Sequence, residues 1–148
     1  MDIEFRIKRF NELELIELYK ILRLRAEVFV VEQDCVYQDV DDKDQIALHV
    51  IGYKNNEIIA YTRIFNAGDY FDKASIGRVV VSENQRKYGY GHDLIKKSIE
   101  GIKEQFATDQ IKISAQCYLK KFYEKHNFKQ IGDEYLEDGI PHIAMIRS

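Results

Sequence analysis

The feature that most constrains this chain is an apolar stretch followed by two glycines and an amphipathic segment. "SIGRVVVS" (residues 75–82) holds three consecutive valines between polar residues, which predicts a buried strand. "NQRKYGYGHDLIKKSIEGI" (84–102) then places Gly89 and Gly91 directly before residues with helical spacing. The first amides of a helix have no intrahelical partners and lie at the positive end of its dipole. This order of elements therefore predicts a site for an anion such as phosphate.

Length and charge limit the class of protein. The 148 residues are predicted to form one domain, residues 1–148, and no apolar run approaches the roughly 20 residues of a membrane span. The net charge of −3 argues against a nucleic-acid-binding surface. The N-terminus lacks the apolar segment of a signal peptide, which predicts a cytoplasmic protein. Cys35 and Cys117 have no metal-ligand spacing and are expected to be reduced thiols.

Hydrophobic periodicity predicts the order of elements. Asn55 and Asn56, which tolerate left-handed backbone conformations, predict the turn of a hairpin. The predicted elements are a strand at 3–10, one long helix or two abutting helices at 13–31, a loop at 32–45, a hairpin at 46–65, a strand at 75–82, a helix at 91–106, a strand at 110–116, a short helix at 119–128 and a last strand at 139–147.

The resulting outline is β-α-β-β-β-α-β-α-β, with one further strand left open at the end. This outline predicts an α/β protein in which a mixed sheet has helices on both faces. A doubly wound dinucleotide-binding fold would alternate strands and helices more strictly. The glycine segment also lacks GxGxxG and has no lysine followed by Ser or Thr, so it is not a P-loop.

Residues 86–91, "RKYGYG", match the pattern Q/R-x-x-G-x-G/A between a strand and a helix. This pattern resembles the acyl-CoA-binding motif of the GNAT superfamily of N-acetyltransferases. Four further blocks, in order along nearly the whole chain, resemble the ElaA-like branch of that superfamily. The blocks are "LRAEVFVVEQDCVYQDVDDKD" (24–44), "IGRVVVS" (76–82), "AQCYLKKFYEKHNF" (115–128) and "EDGIPHIAM" (137–145).

The resemblance implies the GNAT acyl-CoA N-acyltransferase fold, with a mostly antiparallel mixed sheet, and acetyl-CoA as the co-substrate. Its diphosphate would lie on the amides of residues 86–91, where side chains on the two glycines would prevent close approach. Neighbouring parallel strands would splay apart and free the main chain of Val79 and Val81 for pantetheine. The implied cofactor-binding residues are Val79, Val81, Arg86, Lys87, Tyr88, Gly89, Tyr90, Gly91 and His92.

Two side chains are candidates for the chemistry. Tyr123 stands where the resembled family commonly has a tyrosine near the sulfur, and a phenol suits protonation of a thiolate. Its alternative is an aromatic core residue beside Phe122. His142 lies on the last strand, and histidine is the residue type best suited to take up a proton near neutrality, as a general base must. Its alternative is a structural histidine between two isoleucines.

The acidic loop at 32–45 is expected to face the acceptor. Glu32, Gln33 and Asp39 are the candidate acceptor-binding residues, because carboxylates attract a cationic amine, and they are also the other candidates for the general base. Asp41, Asp42 and Asp44 are interpreted as a polar loop. The spacing of these aspartates lacks the central glycine and terminal glutamate of a calcium loop, and no metal is predicted.

The resemblance, with these residues, implies an N-acetyltransferase that moves an acetyl group directly from acetyl-CoA to a primary amine. The alternative function is a non-catalytic acyl-CoA-binding or regulatory domain. The acceptor stays open between a small-molecule amine and a protein amino group. The resemblance also makes a homodimer an expectation.

Overall fold

The computed structural model describes residues 3–148, whose seven strands form one sheet in the order β1-β2-β3-β4-β5-β7-β6. The strands are β1 (Glu4–Arg9), β2 (Leu48–Lys54), β3 (Glu57–Phe65), β4 (Ala74–Val81), β5 (Ile111–Gln116), β6 (Lys129–Glu137) and β7 (Ile140–Arg147). The α-helices are α1 (Leu15–Arg25), α2 (Tyr90–Phe106) and α3 (Lys120–Glu124). None of the helices in the described residues is both long and apolar enough to cross a membrane.

The sheet is antiparallel except between β4 and β5. These two parallel strands pair at Ala74 with Ile111 and at Ser75 with Lys112, and within the described residues their pairing goes no further. Both strands continue for several residues beyond these pairs. The sheet therefore opens between their carboxyl ends. The prediction of a mixed, mostly antiparallel sheet is confirmed.

Helices cover both faces of the sheet, as predicted. α2 and α3 pack on one face, where Leu94 and Ile95 are fully buried. α1 packs on the other, where Ile21 joins a cluster with Tyr61 and Val80. Burying one such aliphatic side chain stabilises the fold by about 1.5–3 kcal/mol. The core under α2 packs against both β4 and β5, and the core under α1 packs against β2, β3 and β4.

The structure decides between the two forms predicted for residues 13–31 and shortens the helix predicted at 119–128. α1 runs directly into a π-helical segment, Ala26–Glu32, so residues 13–31 contain two abutting helical pieces. The helix predicted at 119–128 is limited to α3, which follows a 3₁₀ turn at Cys117–Leu119. π-helical segments are uncommon and often occur at functional sites. This one carries Phe29 to the cleft described below.

The hairpin between β2 and β3 is confirmed, whereas β6 was not placed by periodicity. Asn55 and Asn56 have φ values of 52° and 65° and form the two-residue turn. β6 is an edge strand beside β7, and nearly all of its residues are exposed. It therefore lacks the alternation of a half-buried strand. The strand left open in the outline precedes the last strand instead of following it.

Candidate active site

A cleft lies at the opening between β4 and β5. Ile76 and Val79 of β4 and Ile113 and Ala115 of β5 line it, as does Tyr123 of α3. The side chains of Gln33, Ser114 and His142 line the same cleft. His142 alternates along β7 with Ile143, which belongs to the core under α2, so His142 faces the opposite side of the sheet. The opening therefore brings residues from both faces together.

A bulge in β4 shapes this cleft. Tyr61 pairs with Val80 and Arg63 pairs with Gly77, so β4 carries one more residue than β3 between these pairs. Arg78 within the bulge has a φ of 52°, which is unusual for a non-glycine residue. A bulge leaves main-chain groups unpaired and re-aims side chains. The bulge therefore supports the prediction that main-chain groups near Val79 can hydrogen-bond to a ligand.

Tyr123 belongs to the core and also to the cleft wall. Its side chain is 5% exposed, and its ring makes edge contacts with Phe122 and Phe128 at centroid distances of 5.1 and 5.8 Å. Burial, with a smaller contribution from Tyr118, raises the pKa of the Tyr123 hydroxyl above its usual value. The hydroxyl is therefore protonated at neutral pH. The packing predicted for a core residue and the position predicted for an acid are compatible.

His142 is held in one tautomer. Its Nδ1 lies 2.7 Å from the carbonyl oxygen of Ile140. A carbonyl oxygen only accepts, so Nδ1 donates and carries the proton of the neutral ring. The unprotonated Nε2 lies 3.6 Å from Oε2 of Glu137, a residue that sequence reasoning missed. A neutral His142 therefore offers Nε2 as a proton acceptor.

The glycine segment forms a tight turn before α2. A 3₁₀ helix at Glu83–Tyr88 ends at Gly89, whose φ of 75° is left-handed. A Cβ added at Gly89 would meet no described atom within 4 Å, so its backbone conformation, rather than crowding within the chain, favours glycine. A Cβ at Gly91 would lie 3.4 Å from the ring of Phe122. This distance is an ordinary van der Waals contact, so packing within the described chain does not by itself require glycine at residue 91.

Arg86 is already engaged by protein groups. Its Nη1 and Nη2 donate to the Glu32 carboxylate at 2.6 and 2.9 Å, and its Nε donates to the carbonyl of Val81 at 3.0 Å. The hydrogen bonds from Arg86 lower the pKa of Glu32. The predicted acceptor-side residue Glu32 therefore contacts the predicted cofactor motif. The Val81 carbonyl is also occupied in this arrangement.

The remaining motif side chains surround the turn. Lys87 is exposed, and its Nζ lies 5.3 Å from the ring centre of Tyr88. Nζ of Lys54, from the β2–β3 hairpin, lies 4.0 and 5.0 Å from the ring centres of Tyr88 and Tyr90. These contacts are within cation–π range. They tie the turn to the neighbouring hairpin.

His92, in the first turn of α2, contacts a second histidine. Its Nδ1 lies 2.9 Å from Nε2 of His126, and its ring lies 4.5 Å from that of Phe122. Burial, and then the charge of His92, lowers the pKa of His126. In the described chain, no group of three or more His, Cys, Asp or Glu side chains is placed to hold a metal ion. The pair instead joins the start of α2 to the end of α3.

Six charged residues form an ionic network beside the cleft. They are Arg25, Asp39, Asp41, Asp44, Arg63 and Arg78. Arg25 is 0% and Arg63 is 1% exposed, so both guanidinium groups need partners inside the protein. Oδ1 of Asp44 accepts from both arginines at 2.9 Å. The network fastens the loop after the π-helical segment to β3 and β4.

Asp41 shows why these aspartates are more than a polar loop. Its two oxygens accept from Arg63 at 2.8 and 2.6 Å. Burial alone would raise the pKa of Asp41, but the hydrogen bonds and charge of Arg63 outweigh it and lower the pKa to about 2. The polar-loop interpretation is wrong for Asp41 and Asp44, which pair with buried arginines. The sequence feature that could have predicted this pairing is an arginine within each of the apolar strand sequences "AYTRIF" and "SIGRVVV".

Asp39 and Gln33, both predicted to bind the acceptor, have different surroundings in the structure. Asp39 Oδ2 accepts from Arg25 at 3.0 Å, and Oδ1 accepts from the Tyr37 hydroxyl at 2.6 Å and lies 2.8 Å from Nε of Arg78. With both oxygens engaged, Asp39 anchors the loop, and the geometry does not support the expected contact with an amine. Gln33 does line the cleft, and its Oε1 accepts from Gln116 at 3.4 Å.

The fold and the cleft define a class of protein that the comparisons identify. A family model described as an acetyltransferase (GNAT) domain matches residues 16–148, and the chain belongs to that family. It is similar to protein ElaA of Escherichia coli K12, with 40% identity over 147 residues, 98% of this chain and 96% of ElaA. A UPF0039 protein of Schizosaccharomyces pombe is 40% identical over 146 residues, 97% of this chain and 96% of that protein.

Two solved structures share the fold over almost their full length. An acyl-CoA N-acyltransferase from Pseudomonas aeruginosa has a TM-score of 0.92 and 36% identity, covering 98% of this chain and 99% of that chain. The crystal structure of Escherichia coli ElaA has a TM-score of 0.92 and 39% identity, covering 99% of each chain. The resemblance to the GNAT superfamily and its ElaA-like branch is confirmed.

Proposed function

We propose that this protein is an N-acetyltransferase that moves an acetyl group from acetyl-CoA directly to a primary amine. The observation that carries the proposal is the cleft at the end of the β4–β5 pairing, which Tyr123 and His142 both line. Membership of the acetyltransferase family supports the reaction class. Direct transfer requires donor and acceptor to meet in one ternary complex. The cleft supports this requirement, because residues from both faces of the sheet line it.

Acetyl-CoA would bind along β4 and the glycine turn. The turn and the start of α2 offer main-chain amides and the positive end of a 17-residue helix to the diphosphate. Gly89 fits this role, because its added Cβ would point into space that the chain itself leaves open. The bulged main chain near Val79 would meet the pantetheine arm. Arg86 would brace the turn through Glu32, and exposed Lys87 would meet a phosphate as a point charge.

His142 and Tyr123 would handle the protons. An ammonium acceptor gives one proton to Nε2 of His142, and the free amine attacks the thioester carbonyl. The C–N bond forms as the C–S bond breaks, and the departing thiolate takes the proton of the Tyr123 hydroxyl. The phenolate regains a proton from the second N–H of the newly bonded nitrogen, and His142 releases its proton to solvent. Burial raises the pKa of Tyr123, which keeps the phenol protonated before transfer and also makes it a weaker acid toward the departing thiolate.

The acceptor would enter from the side of Gln33 and His142. Its class stays between a small-molecule amine and a protein amino group, and no nucleic acid or membrane is involved. In this proposal the protein acts in the cytoplasm. A homodimer remains an expectation from the family resemblance.

A screen of amines for release of free coenzyme A from acetyl-CoA tests the proposal. We expect at least one amine to give release above hydrolysis, with one N-acetyl product per coenzyme A. Binding of acetyl-CoA without transfer to any amine would favour the non-catalytic acyl-CoA-binding alternative. Absence of acetyl-CoA binding would contradict both.

A further inference from the structure

The β6 edge strand contributes a group of side chains to the cleft that the proposed chemistry has not used. Ser114 of β5, Tyr135 and Glu137 of β6, and His142 of β7 lie on one face of the sheet, and Tyr135 stacks on His142 with ring centres 6.2 Å apart. Ser114, Glu137 and His142 line the cleft. The four side chains form a connected polar group at the wall opposite the ionic network.

Hydrogen bonding assigns separate tasks to the two oxygens of Glu137. The Ser114 hydroxyl donates to Oε1 at 2.8 Å. Because Ser114 uses its proton there, the Tyr135 hydroxyl donates to Ser114 in the contact between them. The chain of donors Tyr135, Ser114 and Glu137 therefore fixes one carboxylate oxygen. It leaves Oε2 directed at Nε2 of His142.

The contact between Glu137 and His142 is incomplete in the neutral state. Nε2 has no proton when Nδ1 donates to the Ile140 carbonyl, so two acceptors face each other at 3.6 Å, beyond hydrogen-bond length. Once Nε2 gains a proton, the same pair becomes an ion pair with a donor and an acceptor. The arrangement therefore stabilises His142 after Nε2 has gained a proton, as an imidazolium paired with Glu137.

We propose that Glu137 is a positioning residue for His142, whose Nε2 takes the proton of the acceptor amine, and that the carboxylate stabilises the imidazolium formed in that step. The proposal rests on the proposed function, because it assigns the base of that reaction. The proton moves from the ammonium nitrogen to Nε2, no other bond changes in this step, and the proton later leaves to solvent. Ser114 and Tyr135 hold the carboxylate in place.

Glu137 provides the carboxylate in direct contact with the ring. Among the described residues, no other carboxylate makes an ion pair with His142 within 4.0 Å. The other titratable or charged residues on the surrounding walls are Tyr123 on α3, Tyr135 on β6, Asp138 in the β6–β7 turn, Cys35 and Tyr37 in the loop, Tyr70 between β3 and β4, and Arg63 and Arg78 on β3 and β4. Both arginines are bound to aspartates of the ionic network.

The test compares Glu137→Gln with Glu134→Gln. Glutamine keeps an oxygen that accepts from Ser114 and removes only the charge, whereas Glu134 lies on the same strand and accepts from Cys117. NMR titration of the His142 ring, assigned with His142→Asn, measures the coupling without any acceptor. Because Glu137 is 46% exposed, we expect Glu137→Gln to lower the titration midpoint by about half a pH unit, and Glu134→Gln to leave it unchanged.

Activity supplies the second measurement. The acidic limb of the kcat/KM profile should move to lower pH by the same amount in Glu137→Gln, with a loss at the plateau of roughly 3- to 10-fold. Unchanged NMR midpoints would overturn the role of Glu137. A shifted midpoint with an unmoved acidic limb would show that His142 is not the base, while acetyl transfer itself would stand. If no amine turns over, the proposed function fails, and the NMR comparison alone decides whether Glu137 acts on His142.

Discussion

The ionic network on β3 and β4 lies beside the cleft between β4 and β5, yet the polar groups of the two regions are paired differently. In the network, Asp44 bridges Arg25 and Arg63. Each of the three aspartates forms ion pairs with two arginines. In the cleft, Nε2 of His142 faces Glu137 at 3.6 Å without a hydrogen bond. The paired charges hold a loop in place, and of these groups only Nε of Arg63 and Nε of Arg78 lack a hydrogen-bond partner among the described buried side-chain atoms. A ring nitrogen that carries no proton can instead accept one from a substrate.

The largest expected effect is on the rate of transfer in Tyr123→Phe. The phenyl ring keeps its packing against Phe122 and Phe128, so the free energy of unfolding should change by less than about 1 kcal/mol. Loss of the proton donor should lower kcat by roughly 10²–10⁴ while acetyl-CoA affinity stays near that of the unaltered protein. Steady-state kinetics and calorimetry measure both quantities. Tyr118→Phe, at a neighbouring residue that is 74% exposed, is the matched control.

Full kcat in Tyr123→Phe, with the chemical step shown to be rate-limiting, would make Tyr123 a core residue only. The thiolate would then leave unprotonated or take its proton from water or another side chain. The cleft would still differ from the network through His142.

Breaking the network should reduce stability instead of activity. Asp44→Asn removes the charge shared by two buried arginines, and we expect the free energy of unfolding to fall by about 3 kcal/mol. Asp42→Asn changes an exposed residue of the same loop and should stay within about 0.5 kcal/mol. Urea denaturation measures both variants. If the Asp44→Asn protein kept its stability and had a raised KM for the amine, the network would instead be part of the acceptor-binding site.

A methyl group in the glycine turn should weaken cofactor binding. Gly89 and Gly132 have φ values of 75° and 73°, and neither would bring an added Cβ within 4 Å of a described atom. Alanine should therefore destabilise both sites by a similar amount, about 1 kcal/mol. Only Gly89→Ala should raise the Kd for acetyl-CoA, by roughly tenfold, which corresponds to about 1.4 kcal/mol. Equal acetyl-CoA affinities, measured by calorimetry, would place the diphosphate elsewhere.

The smallest effect is expected from Glu32→Gln. Glu32 binds Arg86 in a partly exposed ion pair, and such pairs contribute about 0–1 kcal/mol. If Glu32 braces the turn, the KM for acetyl-CoA should change by about two- to threefold and the KM for the amine should not. A rise confined to the amine KM would instead support the acceptor-binding role predicted from sequence.

The parts of the fold that local chemistry determines were predictable. Asn55 and Asn56 predict their own turn, and the valines of β4 predict a buried strand because burial is visible in their sequence pattern. β6 was missed because an exposed edge strand carries little hydrophobic alternation. The divergence of β4 and β5 depends on pairing between distant segments, which periodicity does not encode.

The site shows the same limit. Tyr123, His142 and Gln33 were predicted and line one cleft. Glu137 was missed because its contact with His142 needs the pairing of β6 with β7, and the anchoring contact of Asp39 was missed because its partner Arg25 lies 14 residues earlier on another element. Residue type indicates what a side chain can do, and long-range packing determines whether its charge is available.

Amide hydrogen exchange with and without acetyl-CoA tests most directly whether the cleft and the glycine turn bind ligand while the network only supports them. We expect acetyl-CoA to slow exchange near Val79 and in residues 89–92, where the main chain would meet pantetheine and diphosphate. Residues 39–44 should exchange at unchanged rates, because their partners already belong to the protein. Protection confined to residues 39–44, or unchanged exchange in both regions at saturating acetyl-CoA, would contradict this assignment.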